Sequence, residues 1–383
     1  MAFGAYRAIM SESQAEGTLE LTEQGGGFLR SAQRNYAVHP TDAFVPADLA
    51  RRFALRGGES ITGMTRNTQG RYGGFQYRCA LQTLVTINGR DPADHPERPQ
   101  FNDLIAVDPK ETIRFETPSG PMSMRVVDLM TPIGRGQRGL IAAPPRTGKT
   151  VLLQHMAAGI AANHPDVYMM VLLVDERPEE VTEMRRTVRG EVVFSNNDQD
   201  ATSHIRIARL MIEKAKRMVE SGRHIFILLD SLTRLGRAFN VAVRSSGRTM
   251  SGGVDIRALA EPKAIFGSAR NIENGGSLTI MATALIETGS RMDELIFNEF
   301  KGTGNMEIML TRELANQRIW PAIDLNMSGT RKEELLLGKE TVEKIYRVRR
   351  QIASLPNLKA MPLLLEGLAK FPDNARFLAN IAR

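Results

Sequence analysis

Gly148-Lys149-Thr150 closes the run Pro144-Pro-Arg-Thr-Gly-Lys-Thr150. An apolar stretch, Gly139 to Ala143, leads into it, and Val151, Leu152, Leu153 and Met156 follow. Strand, tight loop and helix in that order aim backbone N–H groups and a helix N-terminus at phosphate. Lys149 then reaches the β and γ phosphates, and the Thr150 hydroxyl holds Mg²⁺. The full pattern begins with glycine, whereas Ala143 stands at that position.

Two later strand ends carry acids. Val167 to Val174 is an apolar run ending in Asp175-Glu176-Arg177-Pro178, and Ile225 to Leu229 ends in Asp230-Ser231. Carboxylates at the carboxyl ends of buried parallel strands lie where open α/β sheets bind ligands. Glu176 suits an attacking water, or else supplies charge to the helix starting at Pro178. Asp230 suits Mg²⁺ held through water, or else a helix cap. Ser231, Thr233 and Arg234 follow it and are placed to sense the γ-phosphate.

Phosphoryl transfer in such sites is positioning plus charge neutralisation, often completed by a cation from a neighbouring subunit. Arg331, in Ser328-Gly-Thr-Arg-Lys332, is the first candidate and Arg318 the second. Trp320 is the single tryptophan, and it suits either adenine stacking or a core.

These groups need a scaffold. From Met122 onward strands alternate with amphipathic helices, which predicts an α/β domain with a mostly parallel sheet over 123–383, ending in C-terminal helices. Before it, Gly17 to about Asn88 reads as short alternating runs separated by Gly25-Gly26-Gly27, Gly57-Gly58 and Gly73-Gly74. That pattern predicts a small β-barrel of about five strands over 17–90. Residues 1–16 read as a flexible tail and 91–122 as a connector. In the barrel, Phe28, Phe44, Phe75 and Tyr77 are interleaved with Arg30, Arg34, Arg66, Arg71 and Arg78. Aromatics among cations suit stacked single-stranded bases, although a barrel core would also use them. Two glycine-rich loops, Ser245 to Gly253 and Glu287 to Arg291, each set one arginine among small residues, as phosphate-gripping loops or plain connectors do.

The net charge of +7 favours a polyanionic partner. A single cysteine, Cys79, excludes an internal disulfide and a thiolate metal cluster. Apolar runs are of strand length, too short to span a membrane, and the first residues lack a signal-peptide core. A cytoplasmic protein is expected.

The chain resembles the Rho family of bacterial hexameric RNA helicases. Leu173 to Met184, Gly275 to Ile280, Phe300 to Glu307 and Ser328 to Leu335 carry the resemblance most specifically. It implies an OB-type RNA-binding barrel followed by a RecA-like ATPase domain. It also implies a homohexamer that uses ATP and Mg²⁺, binds single-stranded RNA and acts on the RNA polymerase elongation complex. Glu176 and Lys149 fall on catalytic positions, and Arg331 on an arginine finger donated in trans. Thr150 and, through water, Asp230 fall on Mg²⁺ positions. Gly134, Arg135, Gly136, Gln137, Arg138 and Gly139 fall on nucleotide positions, as do Arg146, Thr147, Gly148, Val151, Arg177, Arg318 and Trp320. The implied RNA contacts are Gly25, Gly26, Gly27, Phe28, Leu29, Arg30, Asp42, Ala43, Phe44 and Tyr77, with Arg248 and Arg291 in the channel loops. The barrel departs from the family pattern. Gly25-Gly-Gly-Phe28 keeps only the second of two usual aromatics, and Phe44 replaces a tyrosine. The segment Tyr72 to Arg78 aligns ambiguously.

Two other readings compete. The run Pro132 to Arg138 with its Thr-Gly-Lys-Thr also resembles the F-type ATP synthase alpha subunit. A passive RNA-binding protein with a vestigial ATPase is the second alternative.

Overall fold

The computed structural model describes residues 13–95, 98–243 and 249–381. The chain divides into two compact units. One holds residues up to Asp103 together with Arg209–Ser221, and the other holds Leu104–Ala208 and Gly222 onward.

The first unit is built on a closed five-stranded barrel, in the order β1-β2-β3-β5-β4. Its strands are β1 (Ser13–Leu21), β2 (Gly27–Arg30), β3 (Phe44–Val45), β4 (Ser60–Tyr72) and β5 (Phe75–Ile87), with helix α1 (Ala47–Arg52) between β3 and β4. β1 starts at Ser13, so residues 13–16, expected in the tail, are strand; residues 1–12 lie outside the described residues. Leu19, Leu29, Val45, Ile61, Leu81 and Ile87 fill the interior. Three glycines have specific jobs here. A Cβ on Gly27 would lie 2.4 Å from the Glu20 carbonyl oxygen, so β1 and β2 close up only around glycine. Gly73 and Gly74 take φ of +54° and +87°, which makes the two-residue turn that sets Tyr72 opposite Phe75.

The second unit carries a nine-stranded sheet among the described residues. Short strands β6 (Ala106–Val107), β7 (Thr112–Ile113) and β8 (Ile133–Gly134) precede β9 (Arg138–Ala143), β10 (Val167–Glu176), β11 (Glu191–Asn196) and β12 (His224–Asp230). Then come β13 (Arg270–Ile272), β14 (Ser277–Leu285), β15 (Met306–Met309) and β16 (Gly329–Thr330). The main order is β11-β10-β12-β14-β9-β15-β16, and β6 and β13 join off that path. β11, β10, β12, β14, β9 and β15 run parallel, so their carboxyl ends share one edge. β16 runs antiparallel to β15. Strand interiors such as Ile225 to Leu229 are buried throughout, as helices on both faces of a parallel sheet require. The helices that bear on the site are α2 (Met122–Met130), α3 (Lys149–Asn163), α4 (Pro178–Thr187), α5 (Ala201–Glu220), α6 (Leu232–Ala242), α7 (Ala260–Gly267) and α8 (Arg291–Lys301).

Candidate nucleotide site and nucleic-acid interface

β9 delivers the chain to the phosphate loop fully buried. Ala143 is still strand, in register with Leu285 of β14, so the loop has not yet begun where the usual pattern has glycine. The turn itself needs left-handed backbone. Arg146 has φ +67° and Gly148 φ +80°, and the Thr147 hydroxyl donates to the Pro144 carbonyl at 2.7 Å. Lys149 opens α3 directly after Gly148. The result is a concave loop on a helix N-terminus, the geometry of a backbone anion site.

Two strand ends meet at Lys149. Its Nζ lies 2.6 Å from Asp230 Oδ1 at the end of β12 and 3.4 Å from Glu176 Oε1 at the end of β10. A bulge puts Glu176 there. The β10–β11 register shifts between Val174 and Glu176, Asp175 takes φ +57°, and the Glu176 side chain is buried. Arg234 on α6 approaches Glu176 Oε2 at 3.4 Å, yet that buried oxygen has no hydrogen-bond partner among the described residues. Burial, and then the nearby Asp230 charge, push the Glu176 carboxyl up to about 7. Burial works against the Lys149 charge, but the Asp230 and Glu176 carboxylates outweigh it and raise its pKa. The Thr283 hydroxyl, near the carboxyl end of β14, donates to Asp230 Oδ1 at 2.7 Å. Ser231 caps α6, and Thr233 Oγ1 accepts the Leu285 N–H at 2.8 Å. Thr233 therefore ties α6 to β14.

A cavity of about 380 Å³ adjoins the loop, lined by Thr147, Gly148, Val151, His155, Trp320 and Pro321 among others. Trp320 is 43% exposed, and its ring lies so close to Gly148 that a Cβ there would be 2.8 Å from Cζ3. An apolar slot with an aromatic wall beside a phosphate loop fits a purine nucleotide.

On the barrel, Phe28 and Phe44 form an aromatic cluster apart from the main core, with Ala80, Tyr72 and Tyr77 packed on it. Phe44 stacks on Tyr77 at 4.5 Å and 17°. Phe28 meets Phe75 edge-on at 5.7 Å, and Phe75 is 37% exposed. Arg30 is no free cation. It is 2% exposed, paired with Glu20 at 2.5 Å and Asp42 at 2.7 Å, and its guanidinium lies over the Phe28 ring. Asp42 also takes Arg34. Arg66, Arg71 and Arg78 remain on the surface. The face therefore offers rings held by a buried ion pair, with cations around them, which suits stacked bases and a phosphate chain.

Comparisons with known proteins agree with both halves. Residues 15–93 match the Rho termination factor RNA-binding domain, and residues 123–330 match the nucleotide-binding domain of the ATP synthase alpha/beta family. A transcription termination factor Rho from Cereibacter sphaeroides is 50% identical over 97% of this chain and 87% of its own length. The chain belongs to the transcription termination factor Rho family. The Escherichia coli Rho is 49% identical over 96% of this chain and 88% of that protein. Among solved structures, an ATPase of a bacterial type III secretion system superposes with a TM-score of 0.58 at 22% identity, covering 76% of this chain and 79% of that one. That likeness shows the nucleotide-binding fold. Membership of the Rho family, with its RNA-binding domain, sets aside the rotary-subunit reading.

In this Rho-family chain the other expected site residues are scattered. Gly134 to Gly139 lie at the amino end of β9, and the strand residues Leu140 to Ala143, about 13 Å, separate them from the phosphate loop. There Gly136 N–H donates to Thr279, and Gln137 reaches Asn305 at 2.7 Å. Arg331 lies at that same amino end. β16 runs back along β15, and the Arg331 N–H donates to the Asn305 carbonyl at 2.9 Å. Its side chain is exposed and close enough to Arg138 to help depress that guanidinium's pKa, after burial and Arg270. Within one chain, Arg331 therefore cannot meet Lys149. Arg146, Val151, Arg177 and Arg318 are exposed at the carboxyl edge, and Thr150 is half-buried on α3. Arg291 opens α8, exposed, and packs its backbone on Gly252. Arg248 lies outside the described residues. Thr283 and Arg234 complete the acidic centre. Arg234 was legible from its place after Asp230, whereas nothing marks Thr283 within its apolar strand. No helix among the described residues is long and apolar enough to cross a membrane.

Proposed function

We propose that the chain is an ATP-driven translocase on single-stranded RNA that terminates transcription by acting on the RNA polymerase elongation complex in the cytoplasm. The observation that carries this reading is the split of the site between two ends of one sheet. Lys149, Glu176 and Asp230 converge at the carboxyl edge, and Arg331 stands at the amino edge. A second chain, packed edge to edge in a homohexameric ring, would bring Arg331 to its neighbour's phosphate loop.

In that assembly ATP lies with its base against Trp320 and its phosphates on the N–H groups from Arg146 to Thr150. Lys149 leaves the two carboxylates for the β and γ phosphates. The Thr150 hydroxyl and, through water, Asp230 are the hard oxygen donors that suit Mg²⁺, which would neutralise phosphate charge. Glu176 orients a water and accepts its proton as the water oxygen bonds the γ-phosphorus and the bond to the β-phosphate oxygen breaks. A carboxyl poised near neutrality can take and return that proton. Arg331 of the neighbour offsets charge on the transferring group. Arg248 and Arg291 grip RNA phosphates, and the barrel aromatics hold incoming bases.

The test is ATP hydrolysis by the purified chain without nucleic acid, with poly(C), with other RNA homopolymers and with single-stranded DNA, beside Glu176→Gln. Strong stimulation by RNA that the variant abolishes is expected. Hydrolysis indifferent to every nucleic acid would overturn the translocase reading.

A further inference from the structure

The tip of the β4–β5 hairpin reaches back onto the glycine run before β2. A Cβ built on Gly26 would lie 2.9 Å from Tyr72 Cε1, 3.0 Å from Cζ and 3.1 Å from Oη. Gly26 does not have a left-handed φ, so its backbone would accept a side chain. The Tyr72 ring is what fills the space. Its hydroxyl accepts the Gly26 N–H at 3.1 Å and donates to the Gln24 carbonyl at 2.8 Å. The ring then packs against Phe44 at 4.7 Å and 47°. Phe44 in turn stacks on Tyr77, and Phe75, directly opposite Tyr72 across the turn, meets Phe28.

We propose that Tyr72 is a base-stacking residue of the barrel, supplying from the hairpin tip the aromatic surface that Gly26 lacks. Resting on the RNA-binding reading above, this names the ring that a nucleobase meets beside Phe75 at the open end of the cluster. The neighbouring chemistry suits single-stranded RNA. Tyr72 is half-buried and Phe75 exposed, while Arg66, Arg71 and Arg78 of the same hairpin sit on the surface for the phosphates. The two hydrogen bonds hold the ring in place before any base arrives, which reduces the ordering cost of binding. Sequence spacing alone hides this, because Tyr72 ends β4 while Gly26 lies far back in the turn before β2.

The test uses the full chain and short cytidine, uridine and adenosine homopolymers, with affinity read by fluorescence anisotropy. Tyr72→Ala is expected to weaken the best-bound homopolymer about 5- to 150-fold, the range for one lost base stack. Tyr72→Phe, which keeps the ring, is expected to stay within about threefold of wild type, below what a lost stack costs. The double variant Gly26→Phe with Tyr72→Ala is expected to regain most of the loss, since the two side chains compete for one space. Ultraviolet cross-linking of wild type to the same oligonucleotide, mapped by mass spectrometry, is expected to mark the peptide holding Tyr72 and needs no variant to fold. Wild type that binds RNA while Tyr72→Ala binds equally well would overturn the proposal and leave the RNA-binding reading intact. So would equal losses in the Phe and Ala variants, or cross-links confined to Phe44 and Tyr77. Wild type that binds none of the homopolymers would overturn the underlying reading itself.

Discussion

Lys149 Nζ lies 2.6 Å from Asp230 Oδ1 and 3.4 Å from Glu176 Oε1, so one ammonium links the ends of two adjacent strands. Burial first, and then repulsion from Asp230, raise the Glu176 pKa, and the lysine holds the two acids in one site. Lys149→Ala should therefore cost stability as well as hydrolysis. The lysine keeps 15% exposure and Glu176 can neutralise by taking a proton, so about 1–3 kcal/mol is expected, below the loss for breaking a fully buried pair. Urea unfolding beside an ATPase assay checks both. Lost activity with unchanged stability would mean the ion pair contributes nothing to the fold.

Trp320 offers a direct optical readout, being the single tryptophan and part of the cavity wall. Adding ATP should change its fluorescence. Trp320→Ala should weaken ATP binding about 5- to 100-fold, in keeping with one aromatic stack on a base, and Trp320→Phe should recover most of it. ATP binding unaffected in Trp320→Ala would place the adenine elsewhere.

Arg30 serves the barrel from inside. Its pair with Asp42 is almost wholly buried, and Arg30→Ala leaves Asp42 with Arg34 and the His39 N–H. A loss of about 2–4 kcal/mol is expected, together with weaker RNA binding as the Phe28 face loosens. Arg30→Lys should rescue only in part, because an ammonium cannot fork between Glu20 and Asp42. Thermal unfolding and RNA affinity measured on both variants separate this role from a plain phosphate contact. A phosphate contact would lower affinity without lowering the melting temperature.

Asp128 should contribute a loss of stability as pH rises from about 4 to about 7. Asp128 on α2 accepts backbone N–H groups from Phe115 and Glu116, yet burial pushes its carboxyl from 3.8 up to about 7. Between those values the folded protein keeps a proton that the unfolded chain has released. Each such group costs at most about 1.4 kcal/mol per pH unit across the window and nothing further above it. Glu176 acts in the same direction. Denaturation from about pH 5 to about pH 8 should show this contribution as wild-type stability falling relative to that of Asp128→Asn as pH rises. Equal slopes in the two proteins would exclude Asp128 as a source.

Local runs were the legible part of this chain. The phosphate loop and the acidic ends of β10 and β12 could be read because each is one contiguous string with its own strand or helix. The barrel was legible from its glycine breaks. What stayed hidden depends on contacts between distant strings. Thr283 looks like any threonine in a buried strand until β14 lies beside β12. Arg30 and Arg66 look alike in sequence, but only one is buried against acids. Gly134 to Gly139 is close to the phosphate loop in sequence, yet an extended strand carries the two apart. Asp175 reads as half of an acidic pair, whereas its left-handed backbone is what turns Glu176 inward.

In the proposed assembly the separation of Arg331 from the phosphate loop gives each chain a donor end and an acceptor end. Two chains related by a two-fold axis would meet like end to like end and complete no site. Only head-to-tail contact lets every copy both give and receive, and such contacts either close into a circle or run on as a filament. Defects in such an array combine in a particular way. In the proposed assembly a chain altered at Lys149 still lends its arginine and one altered at Arg331 still accepts its neighbour's, so a mixture of the two proteins is expected to regain some hydrolysis that neither shows alone.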